Sequence, residues 1–133
     1  QLKDDAFVAG TVALACSGTV TTELALAGAP MVVAYRIGAA SYAILKLIFK
    51  SPWVTMFNIA AKAFVAPEFL QAECTPDRLA AAAAERLDDP ALRARQTAAQ
   101  NAALELMGRG GPDPSEKAAD TLLALLAERG VKA

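Results

Sequence analysis

The chain has 133 residues, of which 55% are hydrophobic, and its net charge is −1. This length suits one domain or part of a larger protein, and the hydrophobic share is enough to bury a sizeable core. The absence of His removes the commonest zinc ligand and general base, and the absence of a basic tract argues against nucleic acid as a partner.

The start of the chain is charged, has no cleavage pattern and lacks an initiator Met. No signal peptide is predicted, and we expect the N-terminus to be a fragment boundary. The apolar stretch 24–49 is interrupted by Pro30 and Arg36, so no membrane span is predicted. Cys16 and Cys74 form no CxxC pair and are expected to be buried or incidental thiols in a reducing compartment, with a single disulfide as the alternative.

The first quarter of the chain has the pattern of a βαβ unit. The predicted elements are a helix at 3–9, a strand at 11–16, a helix at 20–27 and a strand at 31–35. Gly10 and Gly28 follow the two helices, where a helix commonly ends. Both strands are continuous apolar runs, which indicates a parallel sheet covered on both faces. The fold class predicted is therefore α/β, of the doubly wound kind.

The middle of the chain is less regular. A helix is predicted at 39–50, stopped by Pro52, and the run 53–56 is predicted as a short strand. The stretch 58–71 has no clean periodicity. A helical turn at 67–71, beginning at Pro67, is the expectation there.

The last third is predicted to be helical because it repeats one start signal. Thr75-Pro76, Asp89-Pro90 and Asp113-Pro114 each place a capping residue before a proline, and Ser115 is the alternative cap for the third helix. The three helices are expected to end near residues 87, 107 and 129. Gly and Pro concentrate in 108–114, which predicts a linker before the last helix.

Ser17, Gly18 and Thr19 follow the first predicted strand and begin the next helix. Free backbone N–H groups and the positive end of the helix dipole meet there, which predicts an anion site. Gly18 would let a phosphate approach the backbone. The alternative is an ordinary capped helix with a tight turn.

Glu23 lies four residues after Thr19, on the same helix face. A carboxylate beside a diphosphate site would accept hydrogen bonds from the two hydroxyls of a ribose. The alternative is an acid that only favours the helix dipole.

Further polar residues are candidates without a deciding pattern. Arg36 follows the second strand, where it could neutralise phosphate or be an ordinary surface residue. Asn58, Glu68 and Gln71 lie in the irregular stretch, where they could contact a base or sugar or could satisfy loop backbone.

Tyr42, Lys46 and Lys50 share one face of the predicted helix 39–50, and apolar residues cover most of the remainder. Such a helix can lie in a membrane interface with its lysines at the level of the headgroups. The alternative is a core helix with a solvated stripe of lysines.

Together these segments resemble the lipid-A-disaccharide synthase family over nearly the whole chain. The matching segments are 16–24 (CSGTVTTEL), 28–36 (GAPMVVAYR), Asn58, 67–71 (PEFLQ), 75–79 (TPDRL) and 115–120 (SEKAAD). The combination of SGTxxxE with the PMVVxYR strand is the specific part of the resemblance.

The resemblance implies the C-terminal, Rossmann-like half of a GT-B glycosyltransferase, with that domain at 1–110 and a linker and final helix at 111–133. The family transfers diacylglucosamine from its UDP conjugate to diacylglucosamine 1-phosphate and releases UDP. The partners implied are these two lipids, the cytoplasmic face of the inner membrane and an N-terminal half, with a homodimer left open. No metal or cofactor is predicted.

The resemblance also assigns roles to residues. Ser17, Gly18 and Thr19 would approach the diphosphate, and Glu23 would bind the ribose. The remaining matched candidates for the donor site are Arg36, Asn58, Glu68 and Gln71. The general base is expected in the N-terminal half, so the isolated chain is predicted to be inactive.

Two rival functions remain at this point. Another GT-B enzyme acting on a UDP-GlcNAc-type donor, either a peptidoglycan precursor transferase or an epimerase, would share the SGT-to-Glu arrangement. A standalone nucleotide-binding module would instead have a complete core of its own. An apolar sheet face left exposed would favour a missing half over the standalone module.

Overall fold

A computed structural model describes residues 2–48 and 51–129, as seven helices, three strands and a 3₁₀ turn. In chain order the elements are α1 (Leu2–Ala9), β1 (Ala13–Cys16), α2 (Thr19–Leu26), β2 (Met31–Tyr35), α3 (Ala39–Ile48), α4 (Met56–Ala61), β3 (Glu68–Leu70), the 3₁₀ turn (Gln71–Glu73), α5 (Pro76–Asp88), α6 (Pro90–Leu106) and α7 (Pro114–Glu128). The predicted membrane contact Lys50 lies outside the described residues.

The three strands form one parallel sheet in the order β1-β2-β3. Ala13 pairs with Met31 at one side of β2, and Val33 pairs with Glu68 at the other. Met31, Val32 and Val33 are fully buried, as expected for a central strand covered on both faces. The sheet with flanking helices and a helical C-terminal part confirms the predicted Rossmann-like α/β class.

β1 is an edge strand, which corrects the prediction of a strand buried on both faces. Within the described residues it pairs only with β2, and its Leu14 side chain is 61% exposed. Cys16 is exposed as well, so the expectation of a buried thiol was wrong for that residue. Cys74 is half-buried, and both cysteines are free. One face of β1 is covered, since Ala15 is buried in the core with α2, whereas no element of the described chain covers the face at Leu14 and Cys16.

The core lies between the sheet and helices α2, α4 and α6. Leu24, Phe57, Ala66 and Leu104 are among its buried residues. Two buried glutamines of α6 also contact the backbone that leads into β2. Gln96 donates to the carbonyl of Met31 at 2.8 Å, and Gln100 donates to the carbonyl of Ala29 at 3.1 Å.

Two predictions in the middle of the chain were wrong. Residues 53–55 form no strand, because the N–H groups of Val54 and Thr55 donate to the Glu68 carboxylate instead of to a neighbouring strand. Residues 68–70 form β3 instead of a helical turn, and the N–H of Val33 donates to the carbonyl of Pro67 at 2.9 Å. Pro67 precedes the strand, where its missing N–H costs no ladder bond.

The predicted helix starts in the last third are confirmed. The side chains of Thr75, Asp89 and Asp113 accept hydrogen bonds from the first turns of α5, α6 and α7, and each is followed by a proline. α7 buries none of its side chains. None of the helices in the described ranges is long and apolar enough to cross a membrane.

Candidate functional site

An open cavity lies where the carboxyl ends of the three parallel strands meet. Its volume is about 760 Å³. Each strand contributes two residues at or just beyond its end, and these are Ser17 and Gly18, Tyr35 and Ile37, and Leu70 and Gln71. The opposite wall is formed by Tyr42 and Lys46 of α3 and by Ser51, Pro52 and Val54. Open parallel sheets bind ligands at this end of their strands.

The turn at Ser17 and Gly18 presents backbone to this cavity. Gly18 is the N-cap of α2, with φ 153° and ψ −164°, and no side chain caps the helix. The hydroxyl of Thr21 donates to the carbonyl of Gly18 at 2.6 Å and so closes the turn from within the helix. The N–H of Thr21 also donates to the carbonyl of Gly18, at 3.2 Å, whereas no side chain caps the N–H groups of Thr19 and Val20, which are available to an anion. Thr19 begins the helix but does not line the cavity.

Glu23 is placed away from the cavity wall. Its carboxylate accepts a hydrogen bond from the Lys3 ammonium at 2.9 Å, and both side chains are about half exposed. This hydrogen bond raises the pKa of Lys3. A ribose that used Glu23 would have to displace or share this contact with Lys3.

Arg36 and Gln71 lie at neighbouring strand ends. Arg36 is exposed between Tyr35 and Ile37, both of which line the cavity, whereas Arg36 itself does not. The side-chain oxygen of Gln71 accepts from the N–H of Ile37 at 3.3 Å and links the ends of β2 and β3. Gln71 has φ 49°, so its backbone turns sharply as β3 ends.

Asn58 and Glu68 lie behind the cavity wall and not on it. Asn58 is fully buried, and its amide donates to Ala66 and Glu68 while its oxygen accepts from the N–H groups of Val65 and Ala66. Glu68 accepts from the segment that precedes α4. Both side chains are thus occupied by the protein's own backbone and side chains.

α3 has two unlike faces. Tyr42 and Lys46 line the cavity, as two residues four apart on one helix face should. Leu47 is 82% exposed and Ile48 75% exposed, and Ile44 is exposed as well. A helix of a globular domain ordinarily turns its apolar side chains inward, so this apolar face is one that no other part of the described chain covers.

The electrostatics of the cavity favour an anion. Its lining residues in the described chain include one cation, Lys46, and no carboxylate. The N-terminus of α2 adds a partial positive charge at Gly18. Within residues 2–48 and 51–129, no group of three or more His, Cys, Asp or Glu side chains is arranged to hold a metal ion.

Several cavity residues were not among the sequence candidates. The apolar residues Ile37, Val54 and Leu70 and the aromatic Tyr35 line the cavity, but their types carry no chemical signal of a site. Tyr35 and Ile37 could have been proposed from position alone, because they stand where the second predicted strand ends. Val54 and Leu70 could not, since the sequence pattern placed 53–56 in a strand and 67–71 in a turn.

Comparison with known proteins adds a family. A family model described as lipid-A-disaccharide synthetase matches residues 1–122. Similar proteins include the lipid-A-disaccharide synthases of Rhodospirillum centenum, 42% identical over 127 residues, and of Nitrobacter hamburgensis, 46% identical over 131 residues. The alignments cover 96% and 98% of this chain but 32% and 33% of those proteins. The chain thus spans about a third of the length of the curated relatives it matches.

Proposed function

The chain belongs to the lipid-A-disaccharide synthetase family, and we propose that it forms the part of such a glycosyltransferase that binds the sugar donor. The donor would be UDP-linked diacylglucosamine, and the acceptor would be diacylglucosamine 1-phosphate. The reaction joins the two sugars and releases UDP. This chain would bind the UDP part of the donor.

The observation that carries the proposal is the cavity at the strand ends. It combines an uncapped helix N-terminus at Gly18, the Ser17 hydroxyl and the Lys46 ammonium. These groups match the negative charge of a diphosphate. Its volume of about 760 Å³ lies within the range of small-molecule sites in proteins.

The same groups suggest how the chain would assist the reaction. Negative charge grows on the diphosphate as the bond to the sugar breaks, and fixed N–H groups at the start of α2 would stabilise that charge. Glu23 would bind the ribose after exchanging its contact with Lys3. Arg36, beside two cavity residues, could swing toward the phosphates.

The attack itself needs more than this cavity. The acceptor hydroxyl must lose a proton to a general base, and the described cavity lining contains no carboxylate or His that could take it. We place the base in the rest of the enzyme, across a cleft from this domain. The chain by itself is then expected to bind the donor without transferring the sugar.

The exposed face of α3 supports a membrane role. Leu47 and Ile48 would enter the apolar boundary of the bilayer while Lys46 on the cavity side meets lipid headgroups or the donor. This would place the enzyme on the cytoplasmic surface of the inner membrane, where a lipid-linked donor is found. A helix that lies on the surface needs no membrane-spanning segment.

Vesicle flotation tests this membrane role. The double variant Leu47→Gln/Ile48→Gln should float less with anionic vesicles than the unmodified protein does, because it loses the apolar contact. Leu87→Gln on α5, which removes another exposed leucine, is the matched control and should float normally. Equal recovery of all three proteins would argue against α3 as the membrane contact.

UDP binding tests the donor role. Isothermal calorimetry of this chain should show saturable binding of UDP and weaker binding of ADP and CMP. Ser17→Ala and Glu23→Ala should weaken UDP binding, whereas Lys3→Ala should not, because it frees the Glu23 carboxylate. Ser115→Ala on α7 serves as the hydroxyl control. Unchanged binding in Glu23→Ala would contradict the ribose role of Glu23.

A further inference from the structure

The Glu68 carboxylate accepts so many hydrogen bonds from the protein that little of it is left to bind a substrate. Its Oε2 accepts from the N–H of Val54 at 2.9 Å, and its Oε1 accepts from the N–H of Thr55 at 2.7 Å. The Thr55 hydroxyl and the Asn58 amide, the latter at 2.9 Å, also donate to Oε1. Four donors from three residues thus converge on one half-buried carboxylate.

The donors belong to the segment that forms a wall of the cavity. Ser51, Pro52 and Val54 line the cavity directly. Within the segment, the Ser51 hydroxyl donates to the carbonyl of Trp53 and accepts from its N–H, which fixes a local turn. The 51–55 segment has no ladder pairing of its own, and the contacts of Val54 and Thr55 with Glu68 tie it to β3.

Glu68 also lies on the same face of its strand as a residue that lines the cavity. Side chains two apart on a strand point to the same face, so Glu68 and Leu70 of β3 share one. Leu70 lines the cavity, and Glu68 holds the 51–55 segment one step further back. Movement of this carboxylate would therefore move two walls of the same cavity relative to each other.

We propose that Glu68 is a positioning residue, which holds the 51–55 segment against β3 through Thr55 and Asn58 and so sets the width of the donor cavity. The proposal rests on the proposed function for the identity of the ligand. A carboxylate suits the task because it only accepts hydrogen bonds, and every group that faces it donates. Asn58 completes the arrangement, since its other contacts fix the loop at Val65 and Ala66.

The substitution Glu68→Gln separates this role from a catalytic one. The amide keeps the size of the side chain but points an NH₂ group at backbone N–H groups, so the segment should loosen. In hydrogen exchange on the complete protein that carries this sequence, we expect the amides of Val54 and Thr55 to exchange about tenfold faster or more. Glu85→Gln, an exposed glutamate on α5, should leave both amides unchanged.

Kinetics of the complete protein supply the second measurement. A looser wall should raise KM for the UDP-linked donor by about tenfold, change kcat by less than about threefold and leave the pH profile intact. Thr55→Val, which removes one donor, should give a smaller effect of the same kind, and Thr55→Ser should restore it. The Thr55 pair also keeps the test valid if Glu68→Gln does not fold.

Three results would overturn the proposal. Unchanged exchange at Val54 and Thr55 would show that the carboxylate does not hold the segment. A large loss of kcat together with a lost limb of the pH profile would make Glu68 a catalytic group. Thr55→Val and Thr55→Ser behaving alike would remove the hydroxyl from the network. If the unmodified protein does not use a UDP-linked donor, the proposed function fails, while the exchange result still decides the positioning role.

Discussion

Gly18 has an unusual backbone conformation and also lines the proposed donor site. Its φ of 153° with ψ of −164° lies in a region that is essentially reserved for glycine. A Cβ at this position would meet no atom within 4 Å, so the cost of a side chain is conformational and not steric. Gly18→Ala should therefore lower the free energy of unfolding by about 1–3 kcal/mol. Urea denaturation followed by circular dichroism measures the difference.

The chain offers a matched control for this glycine. Gly38 also has open space around a built Cβ, but its φ lies outside the positive range. Gly38→Ala should leave the free energy of unfolding within about 0.5 kcal/mol of the unmodified protein. If both variants lose the same stability, the loss in Gly18→Ala does not come from its unusual backbone angles.

The sequence located part of the candidate site at the level of residues. Ser17 and Gly18 were predicted at the end of a strand and the start of a helix, and they lie there on the cavity wall. Glu23 was assigned to the ribose without knowledge of Lys3, because a contact between residues 20 positions apart leaves no local pattern. The contact between Asn58 and Glu68 could not be predicted for the same reason, because the folded loop brings these two residues together.

Asp89 shows how a single capping residue defines an element. Its carboxylate accepts from the N–H groups of Ala91 and Leu92 at the start of α6. Hydrogen bonds from the backbone N–H groups, that of Leu92 first, hold the pKa of Asp89 below its usual value. A depressed pKa means that the folded state favours the ionised form. The resulting stabilisation is present above the ordinary pKa of about 4 and is lost as the pH falls through the folded-state value.

The prediction for α6 is therefore a stability difference that depends on pH. Asp89→Asn should have a lower urea midpoint than the unmodified protein at pH 6, and the two midpoints should converge as the pH falls below about 4. Asp88→Asn removes the same charge one residue earlier, at the end of α5. It should leave the urea midpoint at pH 6 close to that of the unmodified protein, because the side chain of Asp88 is exposed. If the urea midpoint of Asp89→Asn stays below that of the unmodified protein by the same amount across this pH range, the stabilisation by this cap does not depend on the ionisation of Asp89.

Gln96 connects α6 to both the sheet and α5. It donates to the carbonyl of Met31 and accepts from the Nε of Arg86 at 2.7 Å, and all these groups are buried. Burial also lowers the pKa of Arg86. Gln96→Ala should lower the free energy of unfolding by about 2–4 kcal/mol, because it leaves one buried acceptor and one buried donor without a partner. Chemical denaturation gives the value.

Asn101→Ala is the comparison within the same helix. Asn101 is half-exposed, and its oxygen accepts from the Nη1 of Arg109. Water can replace that contact, so the loss should stay below about 1 kcal/mol. Equal losses in the two variants would mean that the link from Gln96 to β2 contributes little beyond an ordinary surface contact.

The helices that begin with local capping signals were predicted well, whereas β3, which depends on pairing with a distant strand, was not. Thr75, Asp89 and Asp113 mark helix starts with side chains that bond within three residues, so the sequence alone contains the signal. β3 exists because Val33, 35 residues earlier, pairs with Glu68. The propensity of 67–71 by itself could not reveal that pairing.

At the scale of the whole molecule, one side of the sheet remains open in the described chain. β1 exposes Leu14 and has a cavity of about 360 Å³ beside it, lined by residues that include Phe7, Val12 and Leu24. An open, apolar strand edge invites pairing with a further strand. A standalone module is expected to cover such a strand, so the exposed side chain of Leu14 supports the proposal that this chain is one part of a longer protein.

α7 contributes little to the buried core. None of its side chains is buried, and Leu122, Leu123 and Leu125 are exposed. The predicted division at residues 110 and 111 can therefore be tested by truncation. Removal of 111–133 should change the free energy of unfolding by less than about 1 kcal/mol, because few buried contacts are lost. Urea denaturation and thermal melting of the two proteins measure this.

A second truncation sets the scale for the first. Removing 90–133 also deletes α6, and with it the buried Gln96, Gln100, Ala103 and Leu104. That shorter chain should fail to unfold cooperatively, because the sheet loses one covering layer and its polar contacts at Met31 and Ala29. A marked loss of stability in the 1–110 chain would instead place α7 inside the folding unit. The leucines of α7 are then a stabilising part of the domain and not a surface available to another protein or subunit.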